Sequence, residues 1–263
     1  MASATSLSYE PSFSPDGRAI IYGAGGSGEP QLHVVTLATS SDLALTTGAG
    51  GGESASWESI GAPAPRASGR IAFSSPHNPD RDICPAWSPT DSRIAYINGT
   101  DLYTIAPDGS SRQRLASDVD GCPAWSPDGR QIAFSRTHGL RIMSADGTSV
   151  RALTTPTGSG IDRSPTWSAD ATEIAFVRTP AWPGASEVDI IHVDGTGVRK
   201  LVRNGAFDPA WSPDGRTILY TAGDDSTGGG DSKIHAIAPS GSSDRPITDP
   251  TGGPEAAAWQ ALP

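Results

Sequence analysis

A Pro-x-Trp-Ser-Pro-Asp-Gly motif that returns about every 40 residues, short β-branched runs after each copy, and 31 Gly with 23 Pro punctuating them predict an all-β fold. The expected architecture is a β-propeller, a single domain over residues 1–263, with six blades of four-stranded antiparallel sheet. The motif stands as Pro11-Ser-Phe-Ser-Pro-Asp-Gly-Arg-Ala-Ile-Ile-Tyr22 and recurs from Pro85, Pro123, Pro165 and Pro209. A degenerate copy begins at Trp57 and resumes at Arg70-Ile-Ala-Phe73. Anchors at Phe13, Trp57, Trp87, Trp125, Trp167, Trp211 and Trp259 stand 30 to 48 residues apart.

Each copy reads as a meander. Strand a is Pro-x-Trp-Ser, and the Asp-Gly pair after it tolerates the positive φ of a tight hairpin. Strand b is Ile-Ala-Phe or its equivalent, alternating in and out. Strand c follows a variable loop, as in Leu32-His-Val-Val35, Leu140-Arg-Ile-Met143 and Val188-Asp-Ile-Ile191. Asp108-Gly109, Asp146-Gly147 and Asp194-Gly195 turn c into d, which ends in Arg-x-Leu at Arg151 to Leu153 and Arg199 to Leu201. Blade 2 is expected to be incomplete, because the stretch from Ser74 to Cys84 is too short for two more strands. The stub at Trp259 either augments a blade or begins a seventh. The anchor aromatics are expected to pack between blades.

The net charge of −10 and pI near 4.8 leave no basic stripe for phosphates, which sets nucleic acid aside as a partner. No apolar run of 18 residues occurs, so no membrane insertion is expected, and the first residues lack the basic and apolar regions of an export signal. Cys84 and Cys122 each lie three residues before their anchors, on inner strands of neighbouring blades. That register allows either a disulfide or two separate buried thiols.

A meander sends the a–b and c–d turns to one face and the longer b–c and d–a loops to the other. Binding residues concentrate on such loops, so function is expected on the b–c/d–a face and the channel mouth. Asp82, Asp120 and Asp162 each lie five residues before an anchor, and Glu10 and Asp208 each lie three before. Quasi-symmetry would gather them into an acidic arc that attracts a basic peptide, an amine or Ca²⁺. The plainer reading is that each Asp caps its own turn. Arg163 would meet a partner carboxylate, and Trp182, between prolines in a b–c loop, would either be an apolar anchor for a partner or sugar or fold over its own blade.

No catalytic residue is assigned. The chain has no His-Glu-x-x-His, no Gly-x-Ser-x-Gly and no zinc spacing. Gly23-Ala-Gly-Gly-Ser-Gly28 follows a strand but opens no helix to hold a pyrophosphate. His33 and His235 share a strand c position, which points to packing.

The five in-register copies of the motif resemble the TolB-type propeller across about residues 9 to 260. The resemblance implies an exported, periplasmic or extracellular setting and docking of a protein or peptide partner. Similar repeats also serve as gating propellers on peptidases and as lyase scaffolds. The chain contains neither the small α/β domain that precedes the TolB propeller nor a hydrolase domain. The expectation is a non-enzymatic, monomeric protein-binding propeller without a cofactor. The alternatives are a carbohydrate-binding propeller and a metal-dependent hydrolase or lyase scaffold.

Overall fold

The computed structural model describes residues 7–14, 16–25, 31–39, 41–45, 55–57, 71–73, 82–90, 93–181, 183–223 and 233–247. Blade 1 is β1 (Leu7–Phe13), β2 (Ala19–Gly25), β3 (Gln31–Thr36) and β4 (Ser41–Ala44). Blade 2 contributes β5 (Ala55–Trp57) and β6 (Ile71–Phe73). Blade 3 is β7 (Asp82–Trp87), β8 (Ile94–Asn98), β9 (Asp101–Ile105) and β10 (Gln113–Ala116). Blade 4 is β11 (Ala124–Trp125), β12 (Gln131–Arg136), β13 (Gly139–Ser144) and β14 (Arg151–Ala152). Blade 5 is β15 (Ile161–Trp167), β16 (Glu173–Thr179), β17 (Glu187–His192) and β18 (Arg199–Val202). Blade 6 is β19 (Ala206–Trp211), β20 (Ile218–Ala222), β21 (Lys233–Ile237) and β22 (Arg245–Pro246).

Among the described residues the ring therefore holds five four-stranded antiparallel meanders and one two-stranded sheet. β5 lies against β1 on one side and β7 on the other, which seats the two-stranded sheet between blades 1 and 3. Blade 1 meets blade 6 directly, with Phe13, Ile20 and Val35 packed on Leu219, Ile234 and Ala236. Among the described residues each blade comes from one contiguous stretch of chain, so side-chain packing closes the ring. The stub at Trp259 lies outside the described residues.

The Ser-Pro-Asp-Gly turns satisfy their own polar groups. In blade 4 the Ser126 hydroxyl donates to Asp128 Oδ1 at 2.6 Å and accepts the Gln131 N–H at 2.9 Å. Asp128 Oδ1 also accepts the Arg130 N–H, and Gly129, at φ 66°, donates its N–H to the Ser126 carbonyl. The same bonds recur around Asp16, Asp170 and Asp214. The serine hydroxyl holds each of these carboxyls below the usual range.

Blades are joined by repeating contacts. Trp87, Trp125 and Trp167 are buried, as expected of inter-blade aromatics. The Trp125 indole N–H donates to the Ala86 carbonyl at 3.1 Å, and that of Trp167 to the Ala124 carbonyl at 3.0 Å. Each of these two tryptophans thus binds the residue just before the previous blade's tryptophan. The Arg-x-Leu motif of strand d has a similar use. Arg151 donates to the Val193 carbonyl of blade 5 at 2.8 Å, and Arg199 to the Pro239 carbonyl of blade 6 at 2.6 Å. Arg151→Ala is expected to cost about 1 kcal/mol, the net worth of one such bond, and Arg199→Ala more, because Arg199 also binds the Glu173 carboxylate at 3.2 Å. Urea denaturation of the two variants and of the double variant checks this, and the two losses should add because the sites lie on different seams.

Candidate functional site: the channel mouth

The inner strands carry a shared irregularity. From Ile83 to Ala86 three steps of β7 face two steps of β8, and β1, β15 and β19 shift their registers at the same place. The residue three before the anchor sits in this bulge with positive φ: Cys84 at 56°, Ser164 at 51° and Asp208 at 51°. A bulge re-aims its side chain out of the sheet's alternation. Here it turns that position toward the central channel. Blade 4 goes further, because Val119 bridges Arg136 while Ala124 pairs Ala133, so five steps face three.

Cys84 and Cys122 form a disulfide, with Cα atoms 5.1 Å apart. This resolves the two alternatives that the register leaves open. The two cysteines, Ser164 and Asp208 line a mouth cavity of about 490 Å³ and also a narrower cavity of about 140 Å³ beyond it. They form the waist between the two. The narrower cavity is walled by Pro11, Pro85, Pro123, Pro165 and Pro209, the first residue of each motif copy. This proline ring has a sequence signal, five prolines in register, whose channel-lining role only the closed ring makes plain.

The mouth draws its wall from four blades. Ile97 comes from β8, Val119 and Asp120 from the blade 4 bulge, Arg163 from β15, and Phe207 and Asp208 from β19. Asp120 is exposed, and its Oδ2 accepts the His138 N–H at 2.9 Å. It therefore caps the b–c turn of its own blade, where the sequence suggests its own d–a turn. Gly121 lets the bulge lie against β12, since a Cβ there would collide with the Ser135 hydroxyl. Arg163 is half-buried and makes no ion pair with another described residue. Phe207, Ile97 and Val119 supply apolar wall that the sequence reading does not single out.

Asp162 does not join them. β15 is already in register at Ile161, so alternation turns Asp162 into the sheet face while Arg163 turns to the mouth. Asp162 is fully buried and accepts two bonds from Arg178, at 2.8 and 2.9 Å. Arg178 also reaches Asp189 at 2.9 Å, and Lys200 binds Glu187 at 2.8 Å. These groups form a charged belt on the face that blade 5 turns to blade 4. Hydrogen bonding to Asp162 holds the Arg178 guanidinium above its ordinary pKa, while burial raises the Asp189 carboxyl to about 6. The expected acidic arc is thus broken at blade 5. Asp82 opens β7, opposite Asn98, and Glu10 lies in β1, but their side chains fall outside the described residues, as does Trp182.

His33 and His235 pack as expected. His33 Nδ1 lies 3.1 Å from Asp42 and His235 Nδ1 lies 3.0 Å from Asp244, each ring beside a strand b tyrosine. Tyr22 and Tyr220 donate to the same aspartates, which with burial pushes both phenols up. Among the described residues no three His, Cys, Asp or Glu side chains are grouped to hold a metal ion. No described helix is long and apolar enough to cross a membrane.

Solved structures share this architecture. A protein described as a TolB from Agrobacterium tumefaciens is 19% identical at a TM-score of 0.57, over 91% of this chain and 80% of its own. TolB from Acinetobacter baumannii is 20% identical at a TM-score of 0.53, with 90% of this chain and 53% of that one aligned. The calcium-binding protein regucalcin from A. tumefaciens is 15% identical at a TM-score of 0.58, covering 86% of this chain and 84% of that one. At these identities the likeness shows the fold alone. A search of curated proteins by sequence found no match. The model of the TolB beta propeller domain, PD40, matches residues 76–227, more than half of the chain. With the repeated motif and the meander blades, that match makes this chain a member of the TolB β-propeller domain family.

Proposed function

We propose that this protein is a non-enzymatic docking propeller that receives a basic, extended segment of a protein or peptide at the channel mouth on its b–c/d–a face. The observation that carries this reading is the mouth itself. Four blades build one cavity of about 490 Å³, within the size range of specific binding sites. Its wall combines the carboxylates of Asp120 and Asp208 with the apolar surface of Phe207, Ile97 and Val119. Asp120 uses one oxygen on the His138 N–H and presents an exposed carboxylate to an incoming Lys or Arg. Arg163 on the same wall suits a partner carboxylate or a backbone carbonyl. A net charge of −10 adds long-range attraction for a cationic segment.

The test is an array of ten-residue peptides of basic, neutral and acidic composition, read by fluorescence anisotropy. Basic peptides with an apolar residue should bind. Asp120→Asn combined with Asp208→Asn should weaken them about ten-fold, and binding should weaken further with added salt because exposed charges are screened. Equal binding of acidic peptides, or binding indifferent to both substitutions, would overturn the reading.

A further inference from the structure

We propose that the Cys84–Cys122 disulfide is a redox latch on the channel waist: it ties down the blade 4 bulge, and its reduction loosens the mouth without opening the ring. Three observations converge on this. First, both cysteines line the mouth cavity and the narrower cavity beyond it, so a small thiol entering the channel meets the bond. Cys122 is half-buried and Cys84 is 9% exposed, which leaves the attack to the Cys122 side.

Second, the bond joins the parts of two blades that their own ladders hold least. Blade 4 has an inner strand of only two residues, Ala124–Trp125, and the pairing with β12 lapses from there back to the bridge at Val119. The Asp120 N–H still donates to the Ser135 carbonyl at 3.0 Å, residues 121–123 fill the rest of that gap, and Cys122 is their covalent tie to blade 3. The cysteine on the other side sits in the β7 bulge at positive φ.

Third, the rest of the seam between blades 3 and 4 does not need the bond. Trp125 donates its indole N–H to the Ala86 carbonyl, Arg93 donates to the Ala145 carbonyl at 3.2 Å, and Ala95, Ile97 and Leu102 pack on Trp125, Phe134 and Met143. The ring therefore keeps its closure when the sulfurs part, while Asp120, two residues from Cys122, loses its nearest covalent restraint.

The chemistry balances with glutathione as reductant. A glutathione thiolate attacks Sγ of Cys122, the Cys84 thiolate leaves and is protonated, and a second glutathione resolves the mixed disulfide. The products are two cysteine thiols and one oxidised glutathione. The inference concerns the mouth's own geometry and stands whichever partner the mouth receives.

The experiment treats the folded protein with millimolar reduced or oxidised glutathione, alkylates with iodoacetamide, and follows amide hydrogen exchange by mass spectrometry. Both cysteines should become labelled in the reduced sample. Exchange at 117–123 should accelerate at least about ten-fold, with β12, β13 and β16 unchanged, and oxidised glutathione should reverse it. The Cys84→Ser, Cys122→Ser double variant should show the fast exchange under both conditions. A disulfide that resists glutathione until the protein is unfolded would overturn the proposal. So would reduction that leaves 117–123 unchanged, or reduction that speeds exchange throughout the ring, which would make the bond a staple of the whole fold.

Discussion

Trp167→Ala is expected to destabilise the protein by about 3–5 kcal/mol, the range for removing a large buried aromatic. The side chain fills the seam between blades 4 and 5, against Leu140, Ile142 and Leu153 on one side and Ile174 and Phe176 on the other. Neither sheet can collapse into the space, because each is held by its own ladder. The substitution also leaves the Ala124 carbonyl without its indole donor. Trp167→Phe separates the two effects. It keeps most of the apolar surface and loses the hydrogen bond, so it should cost clearly less than the alanine. Guanidinium denaturation followed by circular dichroism measures both. A loss below about 1 kcal/mol for the alanine variant would show that this tryptophan does not knit the blades.

The charged belt of blade 5 is expected to give the second large effect. Asp162→Ala removes the bidentate partner of Arg178 and leaves a largely buried guanidinium with only Asp189, a change worth about 3–5 kcal/mol in comparable sites. Asp189→Asn should behave differently, because burial makes ionising Asp189 costly. Its folded pKa, about 6, lies above the ordinary carboxyl value of 3.8, so between these pH values the folded state holds a proton that the unfolded chain has released. Stability from this group is therefore present at low pH and is lost as pH rises through about 6, by on the order of 2–3 kcal/mol. The turn aspartates Asp16, Asp128, Asp170 and Asp214 act in the opposite sense, since their carboxyls are held low and their stabilisation disappears on stronger acidification. The wild type should thus be most stable in mildly acidic solution. Asp189→Asn should flatten the fall toward neutral pH. Melting curves at several pH values decide it, and an unchanged profile in the variant would remove Asp189 as its source.

The blade pattern is legible because it is local. Ser126, Asp128 and Gly129 lie within four residues of one another, and their hydrogen bonds close the turn wherever the chain places it. The same holds for the short apolar strands that follow. The site is legible only in part. Asp120, Arg163 and Asp208 do meet at the mouth. Asp162 occupies the same repeat position as Asp120 and ends in a buried ion pair instead. Spacing from an anchor counts residues, whereas side-chain direction depends on where the ladder begins. β15 is paired from Ile161 onward and β11 only from Ala124, so equal counts lead to opposite environments.

The family, the meander blades and the inter-blade use of the tryptophans are written in the sequence. All of these follow from repeated short-range chemistry or from periodic burial. That Cys84 and Cys122 are joined, that the prolines ring a channel, and that Arg178 claims Asp162 emerge with the folded ring. Each of these depends on distances between segments about 16 to 40 residues apart or more, set by how the bulged inner strands converge on one axis. Register along a chain does not contain those distances. Packing blade against blade around a closed ring does.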